Sequence, residues 1–115
     1  MILVIGGRAS GKLDYVMSLG YAESDIAREI SDAKPVLYGL QDIVERDPVS
    51  CMELLPALLE KEVVVCDEVG SGVIPLERHW RESREQTGRL CIALAKEAER
   101  VVRLVAGIPT VIKER

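Results

Sequence analysis

Residues 1–16, MILVIGGRASGKLDYV, decide the fold. Ile2-Leu3-Val4-Ile5 is a continuous apolar run stopped by Gly6-Gly7, the pattern of a strand buried on both faces. From Lys12 onward Leu13, Val16 and Met17 follow helical spacing up to Leu19, with Gly20 placed to end the helix. Strand, glycine-rich loop and helix are the context in which Gly6-x4-Gly11-Lys12 makes a phosphate cradle. The glycines allow close backbone approach, and the N–H groups of Gly6, Gly7, Arg8, Ala9, Ser10 and Gly11 turn towards a ligand. The Lys12 ammonium reaches the terminal phosphates. Such loops continue with a Ser or Thr whose hydroxyl ligates magnesium; this chain has Leu13, which offers no oxygen.

A second stretch, Val63-Val64-Val65-Cys66-Asp67-Glu68, supplies the other half of a nucleotide site. Four apolar residues bury a strand, and two carboxylates stand at its end. Asp67 is the candidate magnesium ligand, acting through water, and Glu68 the candidate group that orients a nucleophile. Lys12, Asp67 and Glu68 are thus the candidate catalytic residues.

Between and beyond these stretches, helical and strand patterns alternate. Ser24 is placed to cap a short helix carrying Ile26, Ala27 and Ile30. Pro35–Tyr38 reads as a brief strand followed by a turn or helix through Gln41–Arg46, and Asp47-Pro48 breaks the pattern. Apolar residues at 51, 54, 55, 58 and 59 mark one face of a helix over Cys51–Glu60. Glu77–Glu99 is the longest predicted helix, with Trp80, Thr87, Leu90, Cys91, Leu94, Ala98 and Val101 recurring at intervals of three, four and seven. Glu77/Arg81 and Glu85/Arg89 are spaced for ion pairs on its wet face, and Gly88 within it suggests close packing. Val101–Val105 is another strand, Gly107-Ile108-Pro109 turns the chain, and Thr110–Lys113 returns as a short edge strand. This order predicts an α/β fold, a P-loop NTPase-like three-layer sandwich with a small, mostly parallel sheet. One such domain accounts for residues 1–115, with ligands bound beyond the carboxyl ends of the strands.

Composition narrows the partners. A net charge of −4 argues against nucleic acid or an anionic membrane as a general partner. No apolar run approaches the roughly 18 residues of a membrane span. Residues 1–5 lack the basic flank of a signal peptide, so a cytoplasmic location is expected. Cys51, Cys66 and Cys91 have no metal-type spacing and read as small buried hydrophobes. His79 is the single histidine, which excludes a multi-histidine metal site.

The stretch DEVGSGVIPLERHWRESREQTG resembles the C-terminal half of the bifunctional adenosylcobinamide kinase/adenosylcobinamide-phosphate guanylyltransferase family of cobalamin biosynthesis. Glu68-Val69-Gly70-Ser71-Gly72-Val73-Ile74-Pro75 matches that family's Glu-Val-Gly motif, and Arg84-Glu85-Gln86-Thr87-Gly88 follows at the family's spacing. Val105-Ala106-Gly107, Val111-Ile112-Lys113 and the Gly6–Lys12 loop match as well. The resemblance implies ATP or GTP as substrate, magnesium as cofactor, and a cobinamide-type corrinoid as acceptor. It also implies a homo-oligomer, a trimer in the family, and a substrate or subunit loop containing Glu68, Gly70, Gly72, Pro75 and Arg84. The family is longer, and the stretch that carries its guanylyl-accepting histidine has no match here. His79 stands in a different element, so the guanylyltransferase half-reaction is not expected. Two readings follow from the residues. One is a nucleotide-dependent kinase acting on a cobinamide-type alcohol; the other is a nucleotide- or corrinoid-binding regulatory or assembly protein without chemistry.

Overall fold

The computed structural model describes residues 1–68 and 77–115. Its elements run β1 (Ile2–Gly6), α1 (Lys12–Ser18), β2 (Ile26–Ala27), β3 (Val36–Tyr38), α2 (Leu40–Arg46), α3 (Leu55–Leu59), β4 (Val63–Asp67), α4 (Arg78–Glu97), β5 (Arg100–Val105) and β6 (Ile108–Glu114). One six-stranded sheet has the order β2-β3-β4-β1-β5-β6. All pairings are parallel except β5–β6, an antiparallel hairpin. Ala106 and Gly107 form its two-residue turn, both at positive φ, the geometry that suits the strands' twist.

Strand residues alternate between two cores because successive side chains point to opposite faces. Leu3, Leu37, Val64, Cys66 and Val101 face α2, α3 and α4 and pack there with Leu40, Val44, Leu58, Leu90 and Leu94. Val4, Val36, Val63, Val65, Val102 and Leu104 face the other way, against Val16 of α1 and the half-buried Tyr15 and Tyr38. Burying one such Val or Leu contributes about 1.5–3 kcal/mol. Covering both faces makes the three layers expected, and it explains why the central strands are continuous apolar runs.

Several local expectations change. Ser24 caps no helix: Glu23–Asp25 is a single 3-10 turn, and the Asp25 carboxylate accepts the Ala22 N–H at 2.8 Å. Ile26-Ala27 then enters the sheet as β2, since pairing beside Val36 and Leu37 satisfies its backbone better than one isolated helical turn. The stretch Cys51–Glu60 is not one helix but a 3-10 turn, Cys51–Leu54, followed by α3. Pro56 has no N–H to continue a ladder and fits only at a helix start.

Helix α4 keeps its inner stripe through Ser83, Thr87, Leu90 and Leu94, but Trp80 is 43% exposed and lies outside it. A Cβ at Gly88 would meet nothing within 4 Å among the described residues, so this glycine serves no close packing there. Glu85 and Arg89 form their expected ion pair at 2.7 Å. Gly70, Gly72 and Pro75 lie outside the described residues. No helix is long and apolar enough to cross a membrane among those described.

Candidate nucleotide site

Both suggestive stretches end at the same edge of the sheet. Strand β4 is the direct neighbour of β1, with Gly6 in register with Asp67. The Glu68 N–H donates to the Gly6 carbonyl at 2.7 Å and fixes where the two chains leave the sheet. The Asp67 N–H is held at 2.9 Å by the side-chain oxygen of Gln41, on the first turn of α2.

The loop depends on its glycines at two points. A Cβ on Gly6 would lie 2.7 Å from the Leu104 carbonyl and collide with the Ser10 hydroxyl. Gly11 sits at φ 94°, and a Cβ there would come within 3.1 Å of Gly107. Ala9 also takes a positive φ, of 58°. The Ser10 N–H donates to the Gly7 carbonyl at 3.2 Å, and the Ser10 carbonyl accepts from Gly107 at 2.9 Å, which ties the loop to the β5–β6 turn. The Ser10 hydroxyl is buried and has no hydrogen-bond partner among the described residues.

Lys12 does not project into solvent. It is 3% exposed, and its ammonium donates to Gly6 O at 3.2 Å and Gly7 O at 2.6 Å while pairing with Asp67 Oδ1 at 2.8 Å. Three acceptors use its three N–H groups. Folding back inside the loop is what a cation does where the loop carbonyls and a carboxylate are its nearest acceptors and a bare ammonium would be costly to bury.

The second carboxylate goes the other way. Glu68 meets Arg103 of β5 through a two-pronged contact, Nε to Oε1 at 2.9 Å and Nη2 to Oε2 at 3.0 Å. Consecutive residues at a strand end diverge to opposite faces, so Asp67 joins the loop on the α1 face while Glu68 lies towards the α4 face. Cys66, the residue before them in β4, is buried. The neighbouring Cys91 thiol and the surrounding core push the Cys66 thiol well up, and it stays protonated.

An open cleft of about 260 Å³ runs from Ala9 to Asp14 and is walled on its far side by Tyr38. The guanidinium of Arg28 stacks on that tyrosine, 4.8 Å from the ring centroid. Leu13 and Asp14 both line the cleft.

Residues 25–112, most of the chain, match the family model of cobinamide kinase / cobinamide phosphate guanyltransferase. The chain belongs to that family. The match includes β4, the Glu68–Pro75 motif and most of the C-terminal hairpin; the Gly6–Lys12 loop precedes it. No curated protein matches the chain. Membership supports a cobinamide kinase/guanylyltransferase-like function in cobalamin biosynthesis, and nucleotides are the substrates of the family.

Magnesium is the metal that nucleotide chemistry implies, and the residues fit it poorly. Leu13 has no oxygen, the Asp67 oxygen nearest the loop is engaged by Lys12, and the described residues contain no cluster of three or more His, Cys, Asp or Glu suited to a metal. The chain therefore offers magnesium no ready protein-held site among these residues.

Four contributors were missed in the sequence: Gln41, Arg103, Tyr38 and Arg28. Arg103 was the most visible, since a charge inside the apolar run Val101–Val105 needs a partner at the strand's carboxyl end. His79, by contrast, is exposed near the start of α4 and touches the Trp80 ring edge-on at 5.4 Å.

Proposed function

We propose that the chain binds the phosphates of ATP or GTP at Gly6–Lys12 and passes a phosphoryl group to a cobinamide-type alcohol. The observation that carries this reading is Lys12 on Asp67, in a glycine-dependent loop directly beside the strand that ends in two carboxylates. A polyphosphate entering the cleft presents more negative charge than Asp67 does, so Lys12 exchanges its carboxylate partner for the ligand while the loop N–H groups donate to the phosphate oxygens. Asp67, released from Lys12, then stands beside the terminal phosphate. There it orients an incoming hydroxyl or a water.

Leu13 and the engagement of Glu68 by Arg103 favour a second reading, nucleotide binding without transfer. In both, β6 supports a homo-oligomer, because this edge strand exposes Ile108, Val111 and Ile112. Incubating the protein with γ-labelled ATP or GTP and cobinamide separates the two. Labelled cobinamide phosphate from wild type and none from Lys12→Met supports the kinase; nucleotide binding without product supports the second reading. No nucleotide binding at all overturns both.

A further inference from the structure

Strand β4 runs two residues beyond β3: Tyr38, the last residue of β3, stands beside Val65, and β4 continues to Asp67. The Val65 carbonyl faces β3 and accepts the Gly39 N–H at 3.1 Å. Backbone groups alternate sides along a strand in a parallel ladder, so Asp67 turns its N–H to the side that Val65 faces. No strand residue meets it there among the described residues, because Gly39, at φ 81°, has already turned the chain out of the sheet and into α2.

Gln41, on the first turn of α2, supplies the acceptor that β3 does not: its side-chain oxygen takes the Asp67 N–H at 2.9 Å. The Cys66 thiol donates to the Asp67 carbonyl at 3.3 Å, and Gly6 O holds the Glu68 N–H at 2.7 Å. Both peptide units flanking the Asp67 Cα are therefore held, and the side-chain torsions are what remain free. The grip bears on Lys12, whose three N–H groups go to Gly6 O, Gly7 O and Asp67 Oδ1. The two carbonyls belong to the loop itself; the carboxylate is the partner that a phosphate displaces. A carboxylate on a fixed backbone gives up less freedom when it pairs, so it competes better with the ligand.

We infer that Gln41 is a positioning residue for the nucleotide site: by fixing Asp67 against Lys12 it stabilises the form in which the lysine is paired within the protein, and so limits how tightly a triphosphate binds. This rests on the reading of Gly6–Lys12 as the nucleotide site. Gln41 acts through Asp67 and not by touching the ligand.

Calorimetric titration of ATP in metal-free buffer into wild type, Gln41→Met, Asp67→Asn and the double variant tests this. Methionine keeps the length of the side chain and removes the acceptor. Gln41→Met should bind ATP about fivefold more tightly than wild type, the scale of one net hydrogen bond. In the Asp67→Asn background, where the competing carboxylate is gone, the same substitution should change nothing. A purely structural Gln41 predicts weaker binding or no change. Equal or weaker ATP binding by Gln41→Met, or a gain that persists in Asp67→Asn, overturns the inference. Urea unfolding supplies a second measurement that needs no nucleotide. Lys12→Met should cost less stability in the Gln41→Met background than in wild type, because the pair it breaks is already loosened; additive losses overturn the inference as well. Failure of wild type to bind ATP overturns the reading of the loop, and the unfolding cycle then decides by itself whether Gln41 positions Asp67.

Discussion

The Lys12 ammonium and the Asp67 carboxylate meet at 2.8 Å, and the partners differ sharply in exposure, 3% for the lysine side chain and 29% for the aspartate. Lys12 is therefore a structural cation as well as a candidate ligand for phosphate. Replacing it removes the donor to Gly6 O and Gly7 O together with the counter-charge of Asp67. Lys12→Met keeps most of the stem and loses only the charge, so it should lower stability by about 1–3 kcal/mol. Asp67 keeps some hydration in that variant, which sets the upper end of the range. Urea unfolding measures the loss, and calorimetry on the folded variant should show most nucleotide affinity gone. Unchanged affinity would refute the phosphate-loop assignment.

Gly6→Ala tests the loop without altering its charge. The added methyl carbon would sit 2.7 Å from the Leu104 backbone carbonyl, which belongs to a central strand and has little freedom to retreat. The expected cost is about 1–3 kcal/mol of strain, seen as a lower melting temperature in scanning calorimetry. A variant as stable as wild type would show that β1 and β5 do not approach so closely.

These two glycine and lysine features were unequally legible in the sequence. The motif Gly6-x4-Gly11-Lys12 identified the loop, and the apolar runs at Ile2–Ile5 and Val63–Cys66 located the two strands that flank the site. Their period could not say which strand neighbours which, because runs buried on both faces look alike. The direction Lys12 takes is hidden for a related reason: a lysine after a glycine loop has the same spacing whether it points outward or folds back. What turns it inward is Asp67, distant in sequence and beside Gly6 only through the β1–β4 register. Arg28 and Tyr38 are equally hidden, since β2 is two residues long and its sequence reads as part of a short helix.

Gly88 gives the opposite expectation to Gly6. It lies inside α4 with open space around it among the described residues. Gly88→Ala should therefore stabilise the protein by up to about 1 kcal/mol, through helix propensity and a less flexible unfolded chain. Thermal unfolding should show an increase of a few degrees. A decrease would mean that α4 is closely covered at Gly88.

The guanylyltransferase half-reaction, where it runs through a histidine, needs an imidazole at the nucleotide. His79 is exposed near the start of α4 and packed edge-on against Trp80. Its element follows the strand that ends at Asp67, rather than forming part of the loop. Incubation with labelled GTP and mass spectrometry should find no GMP on His79, and His79→Ala should leave GTP affinity unchanged. A phosphoramidate adduct at that residue would overturn the expectation.

Leu13 decides the last prediction. It lines the cleft at the position where a phosphate loop offers magnesium a hydroxyl, and Asp67, the carboxylate at the end of β4, is already paired with Lys12. Magnesium demands a near-octahedral set of oxygens and gives up its waters reluctantly. A carboxylate on a neighbouring strand that must first be detached from a lysine is a poor replacement. Wild type should accordingly bind ATP about equally well with and without magnesium, whereas Leu13→Ser should acquire a gain by restoring the missing oxygen. Asp67→Asn should show no magnesium gain either, yet bind ATP more tightly than wild type in metal-free buffer. Its amide leaves the Lys12 charge unopposed and removes a negative group from beside the phosphates. Titrating the three proteins with and without magnesium distinguishes this from the alternative, in which Asp67 has taken over the metal. Strong magnesium dependence in wild type, abolished in Asp67→Asn, would show that the loop kept its metal by changing the ligand.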